Sequence, residues 1–453
     1  MKNNYLKLIF LLFSSAAFSQ AGHIMQGVGA VNMSMGGAAT AQPLDISGAL
    51  QWNPAAITVF DENTLKLDVG LFFSSPKLSS YLPAGMLGPG MPAVYGTTED
   101  NRGVSPLPNL AYVWKSANGK STFGASAFGI SGFGVDFPQE TNLPFTATGD
   151  MNPNFNPYDS NPISWPQNLM GFGHVKSDYM LLQVGFAWAT QLSDKVSFGI
   201  QPNIDYASLQ LEPNPLSSPS PTLGYPKSDK ASAIGFGGQV GIYYQGEILK
   251  LGASYKTQQY FSKFKFKNTY LDGSGADDVE FTMNYPAIFS VGMGLSSGQF
   301  DFALDFRRVL YDQTKGFEAK GWTQTASVKG FGWENISVLS TGLQYKGIKK
   351  LPLRFGYTFS SNPINSDLAF FSIPATAIIK DAVQFGFSYL ATDRLSVDAV
   401  YHHGMSSGTT EGTLLNPQMV NSSNPYGAMP GTKVSYDMTT DMIMLGISYK
   451  FNK

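Results

Sequence analysis

The sequence contains no cysteine. That excludes a disulfide framework and any thiolate metal site. It is also poor in charge: Asp, Glu, Lys and Arg make up 14% of the 453 residues, against roughly 25% in an ordinary soluble domain. Beyond the N-terminus no run of about 18 apolar residues occurs, which excludes a polytopic helical membrane protein. There is no basic excess, with 30 Lys+Arg against 32 Asp+Glu, so nothing points to nucleic acid. The stretch Asp272-Gly273-Ser274-Gly275-Ala276-Asp277-Asp278 lacks the regular ligand spacing of a calcium loop. No metal and no cofactor is therefore expected.

What the chain has instead is aromatic residues, at 13%, together with 48 Gly and 27 Pro. Low charge with many aromatics implies an apolar surface in addition to a core. Mean hydropathy is nevertheless close to neutral. A transmembrane β-barrel satisfies both facts, because its strands alternate apolar-out and polar-in.

The N-terminus reads as a secretory signal. Lys2 and Lys7 are basic, Leu8 to Phe13 is apolar but too short to span, and Ala17-Phe18-Ser19 offers small residues for cleavage after Ser19. Export then places the chain in the cell envelope or the medium.

From residue 64 onward, period-2 alternation recurs. Leu65, Leu67, Val69, Leu71 and Phe73 alternate with Lys66, Asp68 and Gly70, and Leu353, Phe355, Tyr357 and Phe359 with Arg354, Gly356 and Thr358. Fourteen such segments are expected, at 64–74, 109–116, 120–133, 178–190, 194–211, 231–245, 248–262, 282–296, 299–311, 336–346, 350–360, 380–390, 394–404 and 437–451. Connections leaving even-numbered segments are tiny, such as Gly246-Glu247 and Ser297-Gly298. Those leaving odd-numbered ones run from 19 residues to the 44 of 134–177. Strict short/long alternation is the sidedness of an outer-membrane barrel, with short periplasmic turns and long external loops. Gly-x-x-aromatic recurs inside the strands, as in Gly252/Tyr255, Gly386/Tyr389 and Gly446/Tyr449. Three residues apart on a strand means opposite faces, so glycine is expected inside and the aromatic in an interfacial girdle.

Residues 20–62 do not alternate and are rich in Gly, Ala, Met and Ser. The lumen of a fourteen-stranded barrel is too wide for strand side chains to fill, so this segment is expected to plug it. Three parts follow: 1–19 signal peptide, 20–62 N-terminal hatch, and 63–453 barrel with long extracellular loops. The fold class expected is all-β.

Several motifs carry a family resemblance. They are Gly36-Gly37-Ala38-Ala39 followed by Trp52-Asn53-Pro54-Ala55, the segment Gly129-Ile130-Ser131-Gly132-Phe133-Gly134-Val135-Asp136-Phe137-Pro138, Leu251-Gly252-Ala253-Ser254-Tyr255-Lys256, Tyr285-Pro286-Ala287, and Leu353-Arg354-Phe355-Gly356-Tyr357 leading to Asn362-Pro363. In order and spacing the chain resembles the FadL/TodX-type outer-membrane transporters of long-chain fatty acids and other hydrophobic compounds. At the end, the usual terminal aromatic appears as Phe451 with Asn452-Lys453 after it. The resemblance implies passive uptake. A ligand lands in a groove on the external loops, enters a pocket beside the hatch, and leaves sideways through a gap at a kinked third strand.

Site residues follow from these expectations. Loop 134–177 offers Phe137, Leu143, Phe145, Trp165, Leu169 and Phe172, either as a ligand groove or as packing against neighbouring loops. Gly129, Gly132 and Gly134 would weaken the third strand and allow a kink. Asn53, with Pro54 and Ala55, is expected to meet backbone groups freed there. By parity Lys256, Arg307 and Arg354 face the lumen, where they could hold a carboxylate or pair with the inward Asp301, Asp305 and Asp398. Expected partners are fatty acids or hydrocarbons, outer-membrane lipid and the barrel assembly machinery, with the protein a monomer. An enzyme such as a lipase lacks support: the four His show no Ser/Asp arrangement. A polar-solute porin, or a structural or adhesive barrel, is the alternative.

Overall fold

The computed structural model describes residues 22–117 and 119–451. The expected signal segment lies outside them. Fourteen antiparallel strands close into a barrel. They are β1 (Thr64–Leu82), β2 (Val104–Lys115), β3 (Ser121–Phe137), β4 (Val175–Gln191), β5 (Val196–Glu212), β6 (Ala231–Gln245), β7 (Leu249–Lys256), β8 (Ala287–Ser297), β9 (Phe300–Leu310), β10 (Ile336–Tyr345), β11 (Leu353–Ser360), β12 (Asp381–Leu390), β13 (Leu395–Met405) and β14 (Lys433–Lys450). Each strand pairs with its neighbour in sequence. β1 closes the ring on β14, in register from Thr64↔Lys450 to Tyr81↔Lys433. Closure pairs the first strand with the last, so the sheet has no free end strand in the bilayer.

The side-chain pattern is inverted relative to a soluble protein. On β1 the apolar residues are the exposed ones, with Leu67 at 49% and Leu71 at 46%, while Lys66 and Asp68 are buried at 1% and 0%. The exposed apolar face is the lipid face. Tyr255, Tyr389 and Tyr449 stand exposed on it, as the glycine-aromatic spacing predicts. Two expected strands are shorter in the barrel. Regular pairing of β7 stops at Lys256 and resumes only at Tyr260↔Phe236, and β8 begins after Pro286, which has no N–H for a ladder. Beyond the barrel, Lys227–Ser228, Phe264–Thr269 and Gly275–Phe281 form a separate three-stranded sheet on the long-loop side.

Residues 22–60 fill the lumen. They contain α1 (Ala30–Ser34), α2 (Ile46–Trp52) and a 3-10 helix at Pro54–Val59. Such short helices do not hold themselves together; the barrel holds them. Asp305 Oδ2 accepts the backbone N–H groups of Ala39 and Thr40, both at 2.9 Å. Asp68 Oδ1 accepts from Ala30 N–H at 2.9 Å, and Thr358 Oγ1 donates to the Gly36 carbonyl at 2.9 Å. The inward glycines explain how the backbone gets so close. A Cβ on Gly252 would lie 2.0 Å from the Thr40 carbonyl oxygen, and one on Gly356 would lie 2.2 Å from Gly36 N.

Candidate functional site

The third strand is irregular where its glycines are. β3 pairs with β4 along its whole length, but the register shifts between Gly129 and Ser131, leaving Ile130 as a bulge. Inward-facing residues change parity there, from even numbers to Ser131, Phe133, Val135 and Phe137. A bulge that reverses facing also bends the strand away from its neighbour.

The consequence appears on the other side of β3. β2 pairs with β1 from Val104 to Val113, but with β3 only from Asn109 to Lys115. Residues 104–108 of β2 and 129–137 of β3 face each other without a ladder. Below, the gap ends at Asn109↔Phe128. Above, Asn101 N–H donates to the Asp136 carbonyl at 2.9 Å, and Arg102 forms an ion pair with Asp178 at 3.0 Å. The register of β1 places the gap level with its exposed Val69, Leu71 and Phe73, inside the apolar band. A cavity of about 400 Å³ is lined from the lumen by His23, Met25 and Met438, and at the wall by Leu107, Gly132 and Met180. It therefore reaches from the barrel interior to the unpaired edges.

The first described residues of the hatch cover β3 from inside. Ile24 bridges Ser131. Met25 N–H donates to the Ile130 carbonyl at 2.9 Å, and Gly132 N–H donates to the His23 carbonyl at 3.2 Å. Ser131 Oγ donates to the same carbonyl at 2.9 Å. His23 itself is seated among aromatic rings. It stacks on Phe317 at 4.8 Å between centroids, and Tyr311, Trp333 and Tyr179 surround it. Its Nδ1 is 2.8 Å from Tyr311 Oη. Burial pushes the imidazole down to about 3, so it is neutral at ordinary pH.

Asn53, Pro54 and Ala55 lie elsewhere. Asn53 Nδ2 donates to the Ile242 carbonyl of β6 at 3.1 Å and to Thr40 O at 2.8 Å, while its Oδ1 caps the 3-10 helix at Ala55 N. Pro54 and Ala55 pack against Gly199 of β5. Asn53 bonds no backbone group at the bulge, because its amide is committed to that cap and to β6. His23 and Met25 meet those groups instead. Local spacing carries no sign of this, since the pairing joins residues more than 100 positions apart.

The three inward cations are buried as parity requires. Arg307 pairs with Asp305 at 2.8 Å, donates to the Gly37 carbonyl at 2.5 Å and lies 3.7 Å over the Trp52 ring. It fastens the hatch. Arg354 donates to Gln344 at 2.7 Å and Ser388 at 2.8 Å. Lys256 donates to the side-chain carbonyls of Gln183 at 2.9 Å and Gln51 at 3.3 Å. None of the three lines the cavity. Asp301 and Asp398 pair with Lys346 at 3.0 Å and Lys66 at 2.6 Å, cations that sequence parity had not singled out.

On the long-loop side, Trp165, Leu169 and Phe172 line a groove of about 340 Å³ with Trp322, Phe370 and Leu415 from three other loops. Phe137, Leu143 and Phe145 do not line it. Phe137 is buried at the end of β3, and Leu143 packs against the core. Trp322, Phe370 and Leu415 were missed because no loop alone shows which others it meets.

A sequence profile described as "Outer membrane protein transport protein (OMPP1/FadL/TodX)" matches residues 164–452. The chain belongs to the FadL/TodX family. Membership and the closed barrel place it in the bacterial outer membrane; the family is one of transport proteins rather than enzymes. Solved structures share the fold. The toluene transporter TodX of P. putida aligns at 17% identity and a TM-score of 0.65, over 94% of this chain and 99% of that one. A Pseudomonas aeruginosa FadL homologue aligns at 14% and 0.67, over 95% and 100%. The Ralstonia pickettii toluene transporter TbuX aligns at 17% and 0.60, over 94% and 99%. No curated protein matches the sequence.

Proposed function

We propose that this FadL/TodX family member takes up hydrophobic molecules passively across the outer membrane. The groove at Trp165, Phe172 and Trp322 collects the ligand. The cavity beside His23 receives it, and the gap between β2 and β3 releases it sideways into the bilayer. The observation that carries this reading is the continuity of one cavity with both the lumen and the unpaired wall. The route is downhill. A ligand gains about 0.8 kcal/mol per CH₂ on leaving water, and lateral exit keeps that gain.

The lining favours uncharged ligands, hydrocarbons ahead of fatty acids. Its cations are already matched: Arg102 by Asp178 at 3.0 Å and Lys176 by Asp136 at 2.8 Å. His23 is neutral. A buried carboxylate would find no unmatched cation among the lining residues and would be strongly disfavoured there.

Uptake of a labelled alkane, a monoaromatic and a long-chain fatty acid by cells with and without the protein tests this. Mass spectrometry of compounds co-purifying in detergent accompanies it. Expected is protein-dependent uptake of the neutral compounds that survives collapse of the proton gradient when intracellular consumption is held constant. A steady open conductance for small ions would instead mark a polar porin and refute the reading.

A further inference from the structure

The gap needs an explanation from the β2 side. β3 has its freed edge served by the hatch, but β2 offers residues 104–108 to nothing across the gap. An edge left in lipid with its N–H groups unpaired is costly and would tend to close onto its neighbour. The sequence of that edge is Val104-Ser105-Pro106-Leu107-Pro108.

The two prolines are two residues apart, so their nitrogens face the same edge. The lower end of β2 shows which one. Lys115 N–H donates to Asn63 Oδ1 on the β1 side at 3.2 Å. Ser116 N–H donates to the Ser121 carbonyl on the β3 side at 2.8 Å. No register shift interrupts β2 between Val104 and Lys115. Even-numbered residues therefore turn their nitrogens toward β3, and Pro106 and Pro108 do so too. The ladder with β1 loses no donor, which is why it runs unbroken through both prolines. Of the three positions from Val104 to Pro108 that would donate across the gap, only Val104 has an N–H.

We propose that Pro106 and Pro108 hold the barrel wall open: they remove the donors with which β2 would zip onto β3 above Phe128. The same removal lowers the cost of facing lipid, because a proline nitrogen has no proton to desolvate. The gap is thus prevented from closing on one edge by proline and satisfied on the other by the hatch. Its relevance to transport rests on the lateral exit proposed above; the strand geometry does not.

The test uses the full-length protein, which has no native cysteine. Leu107→Cys and Ser131→Cys are introduced together, both lining the cavity, and disulfide yield under mild oxidation reports closure. It is measured with both prolines present and in the double variant Pro106→Val, Pro108→Val. Expected is a rise of about fivefold or more, the shift that one or two restored hydrogen bonds give an open–closed equilibrium. Heat-resistant gel migration checks that the barrel has folded. If the double variant does not assemble, the single variants P106V and P108V restore one donor each and should give intermediate yields. An unchanged yield in any folded variant overturns the proposal. Uptake, measured without the cysteines, separates the two readings: raised closure with lost uptake supports both. Raised closure with normal uptake upholds the prolines and refutes lateral exit.

Discussion

Gly132 of β3 donates its backbone N–H to the carbonyl of His23 at 3.2 Å. A strand residue with no ladder partner on its β2 side is thereby paired with a residue of the hatch. The bond satisfies a freed N–H on the β3 edge of the gap without closing the wall. On the proposed lateral route, widening the way from cavity to membrane for a ligand then means moving the hatch, not unzipping the barrel.

A lock at this contact should stop transport. Ile24→Cys with Ser131→Cys joins the two residues that already bridge. Uptake should fall to background under oxidation and return with reductant, with folding unaffected. Normal uptake by the fully oxidised protein would show that the hatch need not leave β3.

Filling the gap should do the same from outside. Gly132 is exposed on the lipid face, and a Cβ there would meet only the Tyr179 carbonyl, at 3.1 Å. Gly132→Leu should therefore fold, and uptake should fall sharply if the side chain occupies the exit. Retained uptake with a folded barrel would move the exit elsewhere.

Acid should loosen the hatch through His23. Its folded value of about 3 lies below the ordinary 6.5, so the released state takes up the proton first. The stabilisation is present above pH 6.5 and is lost as pH falls toward 3, by about 1.4 kcal/mol per unit. Protease sensitivity of residues 22–30 should rise across that window in the wild type, and much less in His23→Phe. Parallel pH profiles for the two proteins would exclude His23 as the cause.

Asp305→Ala should free the hatch more strongly. It removes the acceptor of Ala39 and Thr40 and leaves Arg307 buried without its carboxylate. Breaking such a pair costs about 3–5 kcal/mol. Ion leak in planar bilayers should increase while the barrel keeps its resistance to heat and detergent. A silent bilayer would mean that the other anchors suffice.

Sidedness is checked by labelling intact cells. Met170→Cys, in the loop 138–174 and 79% exposed, should react with a membrane-impermeant maleimide, as should exposed cysteines within 406–432. Cysteines at Gly246 and Gly347 should react only after permeabilisation.

Much of this protein was legible without its structure. Period-2 alternation located all fourteen strands, because lipid and lumen impose opposite demands on successive residues. The sorting of short and long connections matches the two ends of the barrel, with tight turns at one and long loops at the other. Glycine at 129, 132 and 134 marked the irregular strand, since missing side chains are visible in any sequence. Contacts between distant segments were not legible. Local sequence does not say that Asn53 reaches Ile242 of β6, or that Ile24 finds Ser131. It does not say that Arg307 is engaged by Asp305 and the hatch, or that Trp322, Phe370 and Leu415 join Trp165. Parity fixes which face a side chain takes; only closure of the ring decides which partner waits on that face, because pairing there depends on three-dimensional proximity and not on spacing along the chain.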